Sequence, residues 1–185
     1  MGKTSREDDL LELFFNEPTK QWHFKDIKKA IHIPDNNISR WLKIFQAKGI
    51  IEKTRPEGKM PHYLAKYESA EYRSLKRLFA ASKLHKSGLI RFLLSLADAK
   101  TIIIFGSFTR WDWHKGSDID IFIYGDTELD LSPFEEKLSH QLHVFRCTNR
   151  KDFEKLGHKL IKSIVLGDLI KGDVSFFEVS IHAEA

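Results

Sequence analysis

The chain has 185 residues, 42% of them hydrophobic, and a formal net charge of +4, enough apolar mass for two small packed domains or one larger one. No apolar run approaches the roughly 20 residues of a membrane helix, and the charged start Met1-Gly2-Lys3-Thr4-Ser5-Arg6-Glu7-Asp8-Asp9 is unlike a signal peptide, so the expectation is a cytoplasmic protein with no membrane partner. The single cysteine, Cys147, excludes an internal disulfide and a cysteine-based zinc cluster and reads as a buried or strand-end thiol.

The positive excess lies in the first third: residues 1–66 hold 13 Lys or Arg against 9 Asp or Glu, whereas residues 67–185 hold 17 of each. In that third, Leu10, Leu11, Leu13, Phe14 and Phe15 have helical spacing over Asp8 to Phe15, and Pro18 ends the helix. Trp22-His23-Phe24 is a short bridging segment. A second helix over Lys25 to Ile31 turns Ile27, Ala30 and Ile31 inward. After Pro34, Asp35 or Asn36 caps a third helix to Ala47, with Ile38, Trp41, Leu42 and Phe45 on one face, and Lys48-Gly49 stops it. Ile50 to Thr54 and Met60 to Ala65 read as two strands around Arg55-Pro56-Glu57-Gly58-Lys59.

Three helices followed by a basic hairpin resemble a winged helix-turn-helix over residues 6–67, most closely in Ser39-Arg40-Trp41-Leu42 and Lys48-Gly49-Ile50-Ile51-Glu52-Lys53. The resemblance implies that the third helix enters the major groove of DNA. Asn36, Asn37, Ser39, Arg40 and Lys43 would then face the bases and backbone, and Arg55 and Lys59 would reach phosphates from the wing. The alternative is a winged helix used only for protein contacts.

Residues 68–86 read as a helix carrying Tyr72, Leu75, Leu78, Phe79 and Leu84, serving as a connector or a homodimer contact. Ser87 to Ala97 gives a further helix. The domain from 87 to 185 then opens on the apolar run Thr101 to Phe105, closed by Gly106-Ser107. Ten residues separate Ser107 from Asp118-Ile119-Asp120, which opens a second apolar run to Tyr124.

Two Asp at i and i+2 of a strand project from one face and can both ligate a hard cation. Ile119, Ile121 and Ile123 take the opposite face, while Phe122 and Tyr124 continue the aspartate face. Gly106 allows close backbone approach, and Ser107 is placed to cap a following helix whose free N–H groups would meet phosphate. Mg²⁺ suits such a site because it takes few carboxylates and completes its shell with water and phosphate oxygens.

The order strand, Gly106-Ser107, Asp118-Ile119-Asp120 resembles the DNA polymerase β-like nucleotidyltransferase superfamily, in particular its minimal members, over about residues 87–172. The implied fold class is α+β: a winged helix-turn-helix followed by a small mixed-sheet nucleotidyltransferase fold. The resemblance implies Asp118 and Asp120 as catalytic metal ligands. It implies Gly106, Ser107, Arg110, Lys115 and Ser117 as nucleotide-binding residues, Mg²⁺ as cofactor and an NTP, with ATP first, as substrate. A nucleotidyl group would pass to a hydroxyl acceptor. The alternative is a DNA-binding regulator, or an antitoxin-like protein paired with a small helical toxin-like partner, whose domain binds nucleotide without transfer.

The family pattern places a third carboxylate on a later strand, here Gln141 to Arg146, which holds none; His143 stands nearest. Glu135, Glu136, Asp152 and Glu178 are the candidate substitutes. Trp111 or Trp113 either stacks on a base or packs into the domain. His140 and His143 read as surface histidines rather than a zinc pair. Lys151 to Lys162 is expected as one helix, Ile164 to Val179 as two short strand-like runs, and Glu178 to His182 as an edge strand.

Overall fold

The structure, a computed structural model, describes residues 6–175. It divides into two compact units, residues 1–82 with 110–117 and residues 83–109 with 118–185.

In the first unit, α1 (Arg6–Asn16), α2 (Phe24–Ala30) and α3 (Asp35–Ala47) precede a hairpin of β1 (Ile51–Thr54) and β2 (His62–Ala65). The hairpin is antiparallel, with Ile51 opposite Ala65 and Thr54 opposite His62. Trp22 joins it by exchanging backbone hydrogen bonds with Tyr63 at 2.9 and 2.8 Å. Leu10, Phe14, Ile27, Ile38, Leu42 and Phe45 are buried, as helical periodicity requires of helices that share one core. Three expectations change. Asp35 is the first helical residue, after Pro34 at the cap position, and its carboxylate accepts from Lys28 Nζ at 2.7 Å. Ala30 is exposed. Trp41 is half-buried, because the core stripe at i, i+4, i+7 runs through Ile38, Leu42 and Phe45 and leaves it at the edge.

The long helix α4 (Ala70–Ser87) buries Tyr72, Lys76, Ala80 and Leu84, spaced by four, while Leu78, expected in the stripe, is exposed. Lys76 takes the place of an apolar residue because its stem packs among rings and its ammonium is satisfied. Nζ donates to Phe15 O at 2.9 Å and to Trp113 O, beneath the rings of Phe15, Tyr72 and Trp113. Tyr72 Oη donates to Phe14 O at 3.0 Å. Burial lowers the Lys76 pKa to about 8, against the opposing pull of Asp112. Trp113 is fully buried against Phe15 and Phe79, which settles it as core, and Trp111 lies 3.9 Å under the Arg73 guanidinium.

The second unit holds α5 (Leu89–Ser95), β3 (Ala99–Phe105), β4 (Ile119–Gly125), α6 (Ser132–Leu138), β5 (Leu142–Cys147), α7 (Arg150–Glu154), α8 (His158–Val165) and β6 (Asp168–Lys171). The sheet order is β5-β4-β3-β6. β3 runs antiparallel to β4 and β6, and β4 runs parallel to β5 across the α6 crossover, so the class is α+β with a mixed sheet. Ile103, Phe105, Phe122 and Cys147 form one face, covered by Phe153 and Ile164, while Ile102, Ile104, Ile121 and Ile123 are buried on the other. Cys147 is both buried and strand-terminal.

The single helix expected from Lys151 to Lys162 is two, α7 and α8, separated by Lys155 to Gly157. Asn149 caps α7 by accepting from the Asp152 N–H at 3.1 Å. Ile164 and Val165, expected in a strand, end α8, whose inward face holds Leu160, Ile161 and Ile164. The edge strand expected at Glu178 to His182 lies outside the described residues. Among the described residues, no helix is long and apolar enough to cross a membrane.

Candidate active site

Strand pairing builds the site. Phe105, the last residue of β3, pairs with Asp120 of β4, so Gly106 follows directly beside that carboxylate. Gly106 has φ +87°, and a Cβ added there would stand 2.3 Å from Asp120 Oδ2. The glycine is therefore required twice, by its backbone and by its neighbour. Phe122 and Tyr124 continue the Asp120 face as expected, packing into the cluster under α7 and α8. That cluster fixes the strand beneath the carboxylate.

Register on the other side brings in His143. The Ile119 N–H donates to Gln141 O at 2.9 Å, and Asp120 pairs with His143 across β4 and β5. His143 Nδ1 lies 3.9 Å from Asp118 Oδ2 and 4.0 Å from Asp120 Oδ1; the side chains of Asp118, Asp120 and His143 are 42%, 26% and 60% exposed. Burial raises the Asp120 pKa, His143 opposes the rise and Asp118 adds to it. This carboxylate is thus ionised at a cost that a bound cation would relieve.

The other candidate carboxylates are occupied elsewhere. Glu135 Oε1 accepts the Leu142 N–H at 2.7 Å, which anchors the start of β5. Asp152 accepts from Thr148 Oγ1, Asn149 Nδ2 and Lys155 Nζ, and Glu136 is exposed. Glu178 lies outside the described residues. His140 is buried edge-on against Phe108, so it is a core histidine rather than the surface one expected. Among the described residues no three of His, Cys, Asp and Glu are disposed to hold a metal ion. Two adjacent carboxylates still fit one Mg²⁺ that draws its remaining ligands from water and phosphate.

The helix expected after Ser107 is replaced by a turn over residues 107–109. Thr109 Oγ1 donates back to Gly106 O at 3.1 Å, Phe108 is buried, and residues 110–117 belong to the first unit, so no helical hydrogen-bond ladder can propagate from Ser107. Any phosphate contact at Gly106-Ser107 would come from turn N–H groups, not from a helix terminus.

Arg110, Lys115 and Ser117 lie in that 110–117 segment. Arg110 is clamped by Asp112, Nε to Oδ1 at 3.0 Å and Nη2 to Oδ2 at 2.8 Å. Ser117 Oγ accepts the His114 N–H at 2.9 Å, and Lys115 is exposed. Sequence reasoning missed the Arg110–Asp112 fork, although the i, i+2 opposite charges signal it.

In the first unit, Asn36, Ser39, Arg40 and Lys43 are exposed on α3, Asn37 is half-buried, and Arg55 and Lys59 are exposed beside the hairpin. The Asn36 Oδ1 accepts the Asn37 N–H at 2.9 Å. The Arg40 guanidinium lies 4.7 Å over the Trp41 ring, which adds an aromatic to this basic face.

Neither a curated protein nor a solved structure matches the chain. Residues 86–174, the part that holds Gly106, Ser107, Asp118, Asp120 and His143, match the family model described as a nucleotidyltransferase domain.

Proposed function

We propose that the chain is a nucleotidyltransferase that uses Mg²⁺ and an NTP, ATP first, to pass a nucleotidyl group to a hydroxyl acceptor in the cytoplasm, and that residues 6–67 are a DNA-binding winged helix-turn-helix. Residues 68–86 connect it to a catalytic domain over 87–185. The observation that carries the reading is Gly106 set against Asp120 across β3 and β4, inside the segment that matches the nucleotidyltransferase model.

Magnesium, bound by Asp118 and Asp120, would neutralise the triphosphate and the charge that develops on it during transfer. Gly106 and Ser107 offer backbone N–H groups to the phosphates, and Gly106 keeps Asp120 at its mount. Arg110, Lys115 and Ser117 are assigned to the nucleotide on the sequence motif alone. Asn36, Asn37, Ser39, Arg40 and Lys43 are assigned to the DNA groove, with Arg55 and Lys59 on phosphates; their exposure supports this. The exposed Leu78 on α4 supports a homodimer contact.

One observation favours a second reading. His143 occupies the register position beside Asp120 where a third carboxylate is expected, which suits a DNA-binding regulator or antitoxin-like protein, paired with a small helical toxin-like partner, that binds nucleotide without transferring it. Pyrophosphate release from Mg–ATP with hydroxyl acceptors separates the two. Release that disappears in Asp118→Asn supports transfer; none with any NTP, alongside intact nucleotide binding, supports the regulator.

A further inference from the structure

We infer that His143 limits this site to a single divalent cation, so that the nucleotide receives an ion and the acceptor hydroxyl does not. The inference rests on the nucleotide-binding reading above and deepens it.

β5 runs parallel to β4 and sets His143 in register with Asp120. The imidazole therefore stands on the ground from which a carboxylate would bridge to a second ion. Its Nδ1 lies 3.9 and 4.0 Å from the two aspartate oxygens. Ligands that share an octahedral ion at 2.0–2.1 Å stand about 3 Å apart, so His143 is too distant to join the aspartates around one ion.

It also brings no negative charge. A two-ion site holds its metals about 3.5–4 Å apart and offsets roughly four positive charges with carboxylates and phosphates; Asp118 and Asp120 supply two negative charges and β5 supplies none. Nothing nearby replaces the missing one. Glu135 is spent on the Leu142 N–H and Asp152 on the α7 cap and Lys155. Among the described residues no three-ligand group of His, Cys, Asp and Glu exists. The site can bind and polarise a triphosphate through one cation, and it has no second cation to ionise an attacking hydroxyl.

Electron paramagnetic resonance titration of Mn²⁺, with a non-hydrolysable ATP analogue at saturation, counts the bound ions. The wild-type chain is expected to bind one ion per chain, His143→Ala one, and His143→Asp two. The side chain is largely exposed, and His143→Glu reaches the same position by a longer arm if the Asp variant does not fold. Two ions in the wild type, or one in both the Asp and the Glu variant, overturns the inference while leaving the nucleotide site standing. Absence of both analogue and ion from the wild type overturns the nucleotide reading and the inference with it.

Discussion

Gly106→Ala tests how the site is mounted. The new Cβ would lie 2.3 Å from Asp120 Oδ2 and 3.3 Å from its Cγ, about 1 Å or more inside ordinary contact at the oxygen. The backbone sits at φ +87°, where a residue with a Cβ costs roughly 1–2 kcal/mol. Turning the carboxylate away forces it off its rotamer for about 0.5–1.5 kcal/mol. The expected destabilisation is about 2–3 kcal/mol, read by urea unfolding. The two causes separate in a double-mutant cycle. With Asp120→Ala in the background, the new methyl meets only the residue 120 Cβ at 3.6 Å, an ordinary contact. The glycine substitution should then cost only its backbone part, giving a coupling of about 0.5–1.5 kcal/mol. Strict additivity of the two substitutions would refute the claim that Gly106 exists to admit the Asp120 carboxylate.

Other predictions follow from the same structure. Lys76 titrates at about 8 when folded against an ordinary 10.5, so the unfolded chain binds more protons between those values. Stability therefore rises as pH climbs from about 8 to 10.5, by at most about 3 kcal/mol. Lys76→Met should flatten that rise in pH-dependent unfolding; an unchanged slope assigns it to other groups. Phe122→Ala removes a fully buried ring packed edge-on against Phe153 and should cost about 3–5 kcal/mol in denaturant unfolding; a loss below 1 kcal/mol would mean that the cluster does not support β4. Arg40→Ala and Lys43→Ala should each weaken DNA binding and reduce the salt slope of log K by roughly 1. Salt-independent affinity would remove α3 from the interface.

Period and punctuation made much of this architecture legible. The i, i+2 aspartates read directly as one strand face, and the structure keeps Phe122 and Tyr124 on that face. Pro34, Lys48-Gly49 and Arg55 to Lys59 marked element ends that fall within a residue or two of the observed ones. What failed depended on tertiary context. Lys76 could not be read as core, because only the converging Phe15 and Trp113 carbonyls and three aromatic rings make its burial tolerable. The helix after Ser107 has adequate local propensity, yet Thr109 folds back on Gly106 and residues 110–117 belong to the other unit. Ile164 and Val165 are β-branched and read as strand, but the burial of Ile164 in the cluster with Phe122 and Phe153 holds them in α8. At the site, the motif named Asp118 and Asp120, while the register that brings His143 beside them needed the β4–β5 pairing.

Isothermal titration calorimetry of ATP and the other NTPs, with and without Mg²⁺, on the wild type and the Asp118→Asn/Asp120→Asn double variant, tests the central claim most directly. The account predicts magnesium-dependent nucleotide binding by the wild type and its loss in the double variant. Equal binding by both proteins, or binding indifferent to magnesium, would contradict the assignment of these two carboxylates as the metal mount of a nucleotide site.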